Sequence, residues 1–508
     1  MLRNALPIAS AGVLSVKNKR WPPTKSEIPK GGYEANDEIH GVIKLPHPLD
    51  LVIDTPQFQR LRQIKQLGVT SLVFPCADYH RFEHSVGTAH LAYEWTKAVK
   101  DARLGDDVEV SDTDLLCVTL AALIHDLGHG PWSHTFDSQF MPRCHKGKKF
   151  DHERISIEMF EYLLKNNPKV KEVLDQYLTE EDYIFIKECI VPPKPLIQDG
   201  KWMPKGRGIE KSFLYDIVSN THEGLDVDKL DYFLRDAQKT NCSIAFNKAR
   251  DARRHSFLSL RLQFALQRLL ANIGVVWSEK AGCHRIGYAK KVEADIITTM
   301  NARTDLHTKV YKHKTVLALE YMLVEALSAA DLFLHFESSL EPGKQLKLSE
   351  CYTDMSAYSQ LTDDFIFQLI SQSQIESLEP ARMMLNDLLC RRQPRLLLKW
   401  TSQSSDMDKH IEEQIREYMM SAGVIPGRLV FIPATFNQGL RNTDNPVSRV
   451  AFFEHHNGKR VEVPCSEQGL SFTTPQRTVV FCFLAGMNDQ LRNKVEGPVR
   501  KIVGKLVG

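Results

Sequence analysis

The stretch SDTDLLCVTLAALIHDLGHGP, residues 111–131, decides how the rest of the chain is read. Ser111 with Asp114 three residues on resembles a capping box, in which two side chains satisfy the unpaired N–H groups of a helix start. Leu115, Leu116, Val118, Leu120, Leu123, Ile124 and Leu127 recur at the helical period over a wide apolar face, which predicts a buried helix. Gly128, Gly130 and Pro131 stop it. His125, Asp126 and His129 are thereby placed at the C-terminal end of a buried helix, beside a loop.

Helical periods dominate from about residue 34 to 340, with an irregular surface loop at 191–211, and continue over 343–420. From Arg428 the pattern turns β-rich, at 429–433, 449–454 and 477–483, and Asn457-Gly458 between two such runs signals a hairpin. The expected fold is mainly α: a leader over 1–33, a large helical domain over 34–340, a helical extension over 341–425 and a small α+β lobe over 426–508. Residues 1–26 carry no Asp or Glu, and this leader reads as disordered rather than as a transit peptide.

A chain of 508 residues is long enough for a large domain with smaller lobes, and 43% hydrophobic with 25% charged residues is ordinary globular usage. The net charge of +2 argues against a general polyanion-coating role. The ten cysteines form no CxxC pair, which fits reduced thiols and an intracellular setting, nucleus or cytosol before mitochondrion. No apolar run is long enough to span a membrane, so no membrane partner is expected.

The chemistry is dispersed: His84 in RFEHS, His125-Asp126 in HDLGHG, and Asp228 in DVDKLDY. Imidazoles with two carboxylates suit a borderline divalent ion of the zinc, iron or manganese kind, whereas magnesium alone prefers an all-oxygen shell. Such an ion activates water and polarises a phosphoryl oxygen, the two requirements of phosphate ester hydrolysis. Between 125 and 152 the chain also packs His129, His134, Asp137, His145 and His152, more titratable groups than a loop needs for solubility. Two stripes at i, i+4 and i+8, Asp228/Tyr232/Asp236 and Arg303/His307/Tyr311, each mix an aromatic with charge and read as walls of a nucleotide site.

The set His…His-Asp…Asp is the signature of the HD phosphohydrolases. The words DTPQFQRLR (54–62), KQLG (65–68), RFEHS (81–85), HDLGHGP (125–131), KSFLY (211–215) and DVDK (226–229) closely resemble the metazoan SAM-and-HD-domain dNTP triphosphohydrolases. The resemblance runs over roughly residues 34 to 460, so the large domain should be an HD-domain helical core, with no SAM domain expected in the residues before it. It implies metal ligands His84, His125, Asp126 and Asp228, and hydrolysis of deoxynucleoside triphosphates to deoxynucleoside and triphosphate, with magnesium accompanying the triphosphate. Control of dNTP pools and antiviral defence would follow.

Gln66 and Leu67 would meet sugar and base, Asp236 the 3′-hydroxyl, and Tyr311 would crowd the ribose 2′ carbon. Arg81, Lys229 and Arg303 would neutralise the triphosphate, and Tyr232 and His307 would line the site. Lys312 stands where the family has Gln beside the base. His134 would be the general acid, oriented by Asp137, with His129 and His152 also in the site. The resemblance further implies a GTP or dGTP activator bound by Asn36, Asp54, Gln59 and Arg62 with Arg395 and Lys399, a dNTP activator near Lys291, His313 and Lys314, and a homotetramer. Tyr33, Ala289 and Asp295 depart from the family pattern there.

Two other readings compete. One is an HD phosphodiesterase or nuclease; the other is a nucleotide-sensing, single-stranded nucleic-acid-binding protein using the basic insert Lys248, Arg250, Arg253, Arg254, Arg261 and Arg268.

Overall fold

The computed structural model describes residues 14–16, 32–102, 109–146, 150–241, 257–436, 446–466 and 477–507. The capping box forms as the spacing predicts: Ser111 Oγ accepts from Asp114 N at 3.0 Å, and Ser111 N donates to Asp114 Oδ2 at 2.9 Å. The helix Asp112–Ile124 then runs with every residue from Cys117 onward buried. It packs against Arg81–Asp101 on one side and Glu180–Ile190 on another. Truncating one of its fully buried leucines, Leu120 or Leu123, to Ala would cost about 2–5 kcal/mol.

Close backbone approach sets the turn that follows. A Cβ at Gly128 would lie 2.3 Å from both His152 O and Ser156 N, so only glycine lets this turn seat on the helix His152–Asn166. Ser156 Oγ fixes the contact, accepting from Gly128 N at 2.8 Å and donating to His125 O at 2.5 Å. Trp132 and Ser133 follow with φ of 56° and 54°, a left-handed conformation costly for side chains of their size. The helix Val227–Thr240, capped by Asp226, crosses Arg81–Asp101 and brings the third part of the motif to the same place.

The fold is mainly α, as expected, and the lobe sheet is antiparallel. Its central strand Arg477–Leu484 pairs with Arg395–Thr401 and Leu429–Phe436, and helices Ser405–Ser421 and Asp489–Val507 cover it around Trp400, Ile411, Ile415, Cys482 and Val495. Three expectations need correction. Arg395–Thr401 lies in a region read as helical, and so do strands Ile273–Ser278 and Cys283–Ala289; short apolar runs such as IGVVWS and RLLLKW carry no period that separates strand from helix.

The hairpin at Asn457-Gly458 forms, with φ of 51° and 80°, but not in the lobe. Its strand Ala451–His456 pairs in parallel with Cys283–Ala289, making a four-stranded sheet on the helical domain, and Val447, Val450 and Phe452 join the main core. Of the leader, Leu14–Val16 pairs in parallel with Leu334–Phe336, and its remaining residues up to 31 lie outside those described.

Candidate metal centre

Three elements converge. The helix Arg81–Asp101 supplies His84, the end of Asp112–Ile124 supplies His125 and Asp126, and the start of Val227–Thr240 supplies Asp228. Donor atoms of His84, His125 and Asp126 lie within 4.8 Å of one another. Asp228 Oδ1 closes the set at 3.0 Å from His84 Nε2 and 3.4 Å from His125 Nε2. His84, His125 and Asp126 are all buried.

Each imidazole has its far nitrogen occupied. His84 Nδ1 pairs with Asp231 Oδ2 at 2.8 Å, and His125 Nδ1 pairs with Ala122 O at 2.7 Å. Both Nε2 atoms therefore point inward as lone-pair donors, the arrangement a metal-binding His requires. The Nε2 of His125 is buried with no hydrogen-bond partner. An orphaned ring nitrogen facing two carboxylates fits a divalent cation; without one, burial opposes charge on His84 but its bonds to Asp228 and Asp231 overcome that and raise it to about 10. Arg81, His125 and His129 hold Asp126 well below the usual carboxylate range against the effect of burial.

The second group of histidines stands beside the first. His129 and His152 stack with ring centroids 4.0 Å apart, and His134 meets them edge-on at 5.1 and 5.5 Å. Burial, then the positive charge of Arg81, pushes all three below the ordinary imidazole range, His152 to about 4; His134 shifts this way although its ring is open to solvent. Asp137 is expected to orient His134. Instead it hydrogen-bonds His129 Nδ1, and burial raises the Asp137 carboxyl while lowering the His129 imidazole. Asp137 opens the π-turn Phe136–Phe140 and stays within 4.8 Å of His134, but the hydrogen bond it makes is to His129.

The residues expected to hold substrate surround this centre. Gln66 is buried with its amide oxygen unpartnered; Leu67, next in the chain, caps the turn Gly68–Leu72. Arg81, expected on the triphosphate, spends its NH1 on Asp126 at 2.7 Å and its Nε on Ser133 Oγ at 2.9 Å, and Lys229 is paired to Asp226 at 2.7 Å. Asp236 accepts from the hydroxyls of Tyr311 and Tyr79, and burial raises it to about 6. The ring of His307 sits 4.9 Å from Tyr311, Tyr232 lies 6.3 Å from His84, and the charge of Arg303 acts on the hydroxyl of Tyr232. Lys312 lies near enough to act on both His307 and the half-buried Glu320.

The activator candidates fall into separate groups. Asp54, Gln59 and Arg62 come together, Arg62 Nε donating to Gln59 Oε1 at 2.8 Å, and Tyr33 joins them through Arg62. Asn36 is exposed on the strand Tyr33–Asp37. Arg395 and Lys399 are exposed on the lobe, Arg395 at 4.0 Å from Asp489 and Lys399 over the Phe481 ring. Lys291 and Lys314 are exposed, and His313 caps the helix Lys314–Asp331. The family departures fall here too: Asp295 pairs with Arg268 at 2.9 Å. Of the basic insert, Lys248, Arg250, Arg253 and Arg254 lie outside the described residues. No helix among the described residues is long and apolar enough to cross a membrane.

Sequence reasoning missed Tyr79, Ser133 and Asp231. Asp231 lies inside the quoted word DVDKLD, and its signal was available: it is three residues after Asp228, on the neighbouring part of the same helical face.

The HD domain family matches residues 81–236, the span that holds all four candidate ligands. The chain is 39% identical over 376 residues to deoxynucleoside triphosphate triphosphohydrolase SAMHD1 of Danio rerio, covering 73% of this chain and 56% of that protein. It is 36% identical over 454 residues to the Mus musculus protein of the same name, covering 87% and 66%. To the SAMHD1 homolog of Dictyostelium discoideum it is 30% identical over 426 residues, covering 83% and 71%. The chain belongs to the SAMHD1 family of HD-domain proteins. It spans 56% and 66% of the length of the two vertebrate relatives. In this SAMHD1-family chain, His84, His125 and Asp126 make a cluster fit to hold a divalent metal, Asp228 faces it, and three further histidines lie beside it.

Proposed function

We propose that this protein is a metal-dependent hydrolase that cleaves deoxynucleoside triphosphates to deoxynucleoside and inorganic triphosphate. The observation that carries the reading is the Tyr311–Asp236–Tyr79 group beside the metal set. An aromatic ring locked by its own hydroxyl onto a buried carboxylate makes a rigid wall, and a rigid wall can reject one extra hydroxyl where a mobile one would yield. The names of the family relatives support the same substrate class.

His84, His125, Asp126 and Asp228 would hold the ion, of the zinc, iron or manganese kind, with magnesium accompanying the triphosphate. When bound, it supplies Lewis-acid stabilisation of a phosphoryl oxygen and lowers the pKa of water. The chain's residues supply the rest. Water oxygen bonds to the α-phosphorus and gives up a proton to solvent as the bond from that phosphorus to the 5′-oxygen breaks, and the leaving oxygen takes a proton from His134, which solvent restores. Burial, then the charge of Arg81, pushes that imidazole below its ordinary range and disfavours its charged form in the free protein. A triphosphate brings several negative charges beside it, which raise its pKa and arm it as an acid only when substrate is present. Arg81, held by Asp126 and Ser133, would lend its charge to the phosphates from a fixed position.

Product analysis with each dNTP and NTP tests the proposal. Triphosphate release from dNTPs alone is expected; monophosphate release or cleavage of a phosphodiester would sink it. Regulation by GTP or dGTP and dNTP through a tetramer is supported by the grouping of Tyr33, Asp54, Gln59 and Arg62, while Arg395 and Lys399 stand exposed on the lobe strand, open to a second copy. Light scattering with and without GTP and dATP, beside the activity of Arg62→Ala, checks this: a nucleotide-independent tetramer would refute the switch.

A further inference from the structure

Asp231 stands behind the metal centre, fully buried, and uses both oxygens on four donors. Oδ2 binds His84 Nδ1 at 2.8 Å and Arg235 Nε at 3.0 Å; Oδ1 binds His40 Nε2 at 2.7 Å and Arg235 NH2 at 2.9 Å. Arg235, only 2% exposed, turns its other edge to Asp37, NH1 to Oδ2 at 2.9 Å and NH2 to Oδ1 at 3.3 Å. Space for the cluster comes from Gly87, one turn along the helix from His84: a Cβ there would lie 2.1 Å from Asp231 Oδ1 and 2.5 Å from Arg235 NH2.

Asp37 and His40 both belong to the antiparallel hairpin of Tyr33–Asp37 and Gly41–Leu45. Asp37 Oδ1 also builds the turn, accepting from Ile39 N at 2.8 Å and His40 N at 2.9 Å. Lys239, on the same helix as Asp228 and Asp231, pairs with Glu38. Thus the hairpin turn reaches the metal ligand His84 by two routes that meet at one carboxylate. The strand that begins this hairpin carries Tyr33, which joins Asp54 and Arg62, and Asn36.

We propose that Asp231 is a positioning residue through which the hairpin turn sets the metal affinity of the site, resting on the reading of His84 as a ligand. A carboxylate behind a ligating imidazole fixes its tautomer and ring angle and strengthens it as a donor. When that carboxylate is also held by His40 and by Arg235–Asp37, a shift of the turn alters where its charge sits relative to His84. By linkage the effect is mutual: metal binding tightens the turn to the same degree that the turn tightens the metal.

The test measures Mn2+ affinity of the full chain by competition with a chromophoric chelator, in the parent, His40→Ala, His40→Gln and Asp37→Asn. His40→Gln keeps an N–H donor toward Asp231. Asp37→Asn keeps the oxygen that builds the turn and removes the charge facing Arg235. His40→Ala and Asp37→Asn should each weaken Mn2+ roughly tenfold at an unchanged melting temperature, with His40→Gln within about twofold of the parent. Hydrogen exchange of the parent, which needs no variant to fold, should slow across residues 37–45 when Mn2+ is added. Parent-like affinity in both weakening variants, or a lowered melting temperature with affinity unchanged, overturns the inference, as does exchange indifferent to Mn2+. A protein that shows these shifts but leaves dNTPs intact refutes the proposed function and leaves the inference standing; one that binds no Mn2+ refutes both.

Discussion

Two groups of histidines lie side by side in this protein and are driven in opposite directions. Around His84 and His125, the carboxylates of Asp126, Asp228 and Asp231 favour positive charge, which in the bound state an ion supplies. Around His129, His134 and His152, the burial and the Arg81 guanidinium disfavour it. Arg81 marks the border: it pairs with Asp126 of the first group and repels protons from the second. On the proposed function the same residue type would serve as ligand on one side and as a proton donor to an anionic substrate on the other, with the neighbours making the difference.

The largest effect should come from breaking the first group. Asp228→Ala removes a carboxylate that faces both His84 and His125, and metal content and hydrolysis should fall together to background; metal analysis showing full occupancy with full turnover would refute the assignment. Next, His134→Gln should leave metal content intact and lower kcat by about two to four orders of magnitude, while a parent-like kcat would remove His134 from the proton path. Together the two variants separate the groups by metal content.

Smaller is the effect at the wall. Tyr311→Ala leaves Asp236 with Tyr79 only, and the preference for dATP over ATP should shrink by roughly tenfold, the scale of a lost steric contact. An unchanged ratio means another side chain gates the sugar.

The smallest effect is a pair of pH limbs. In metal-stripped protein His84 is raised to about 10 from an ordinary value of 6.5, so its contribution to stability is complete below 6.5 and is lost as pH rises through 10. His152 is lowered to about 4, so its contribution is present above 6.5 and is lost as pH falls through 4. Melting temperature of the chelated protein should therefore drop by a few degrees on each side. Mn2+ should flatten the alkaline limb and leave the acid limb in place; a flat alkaline limb without metal would contradict the charge assigned to His84.

The first group was legible in the sequence because helix ends are. The cap at Ser111 and the stop at Gly128 placed His125 and Asp126 before any tertiary contact was known. Orientation was less legible. That Asp137 bonds His129 rather than His134 is a matter of side-chain orientation at the π-turn Phe136–Phe140, which no sequence period announces. Tyr79 reaches the site only through three-dimensional convergence, and the strands Cys283–Ala289 and Ala451–His456 could not be joined by local pattern, since their pairing is a fact about distant segments.

That pairing bears on how the molecule is made. Ala451 N donates to Glu223 Oε1 across 228 residues of sequence, and its strand completes a sheet begun by Ile273–Ser278 and Cys283–Ala289. A ribosome has released His84, His125, Asp126 and Asp228 long before it delivers the strand that closes this sheet. The nascent helical domain must wait, with one sheet edge uncovered, at synthesis rates of about 5–20 residues per second. Non-local closure of this kind is slow and leaves an edge that other chains can pair with, so chains that stop short of residue 451 should aggregate rather than accumulate as a smaller folded domain.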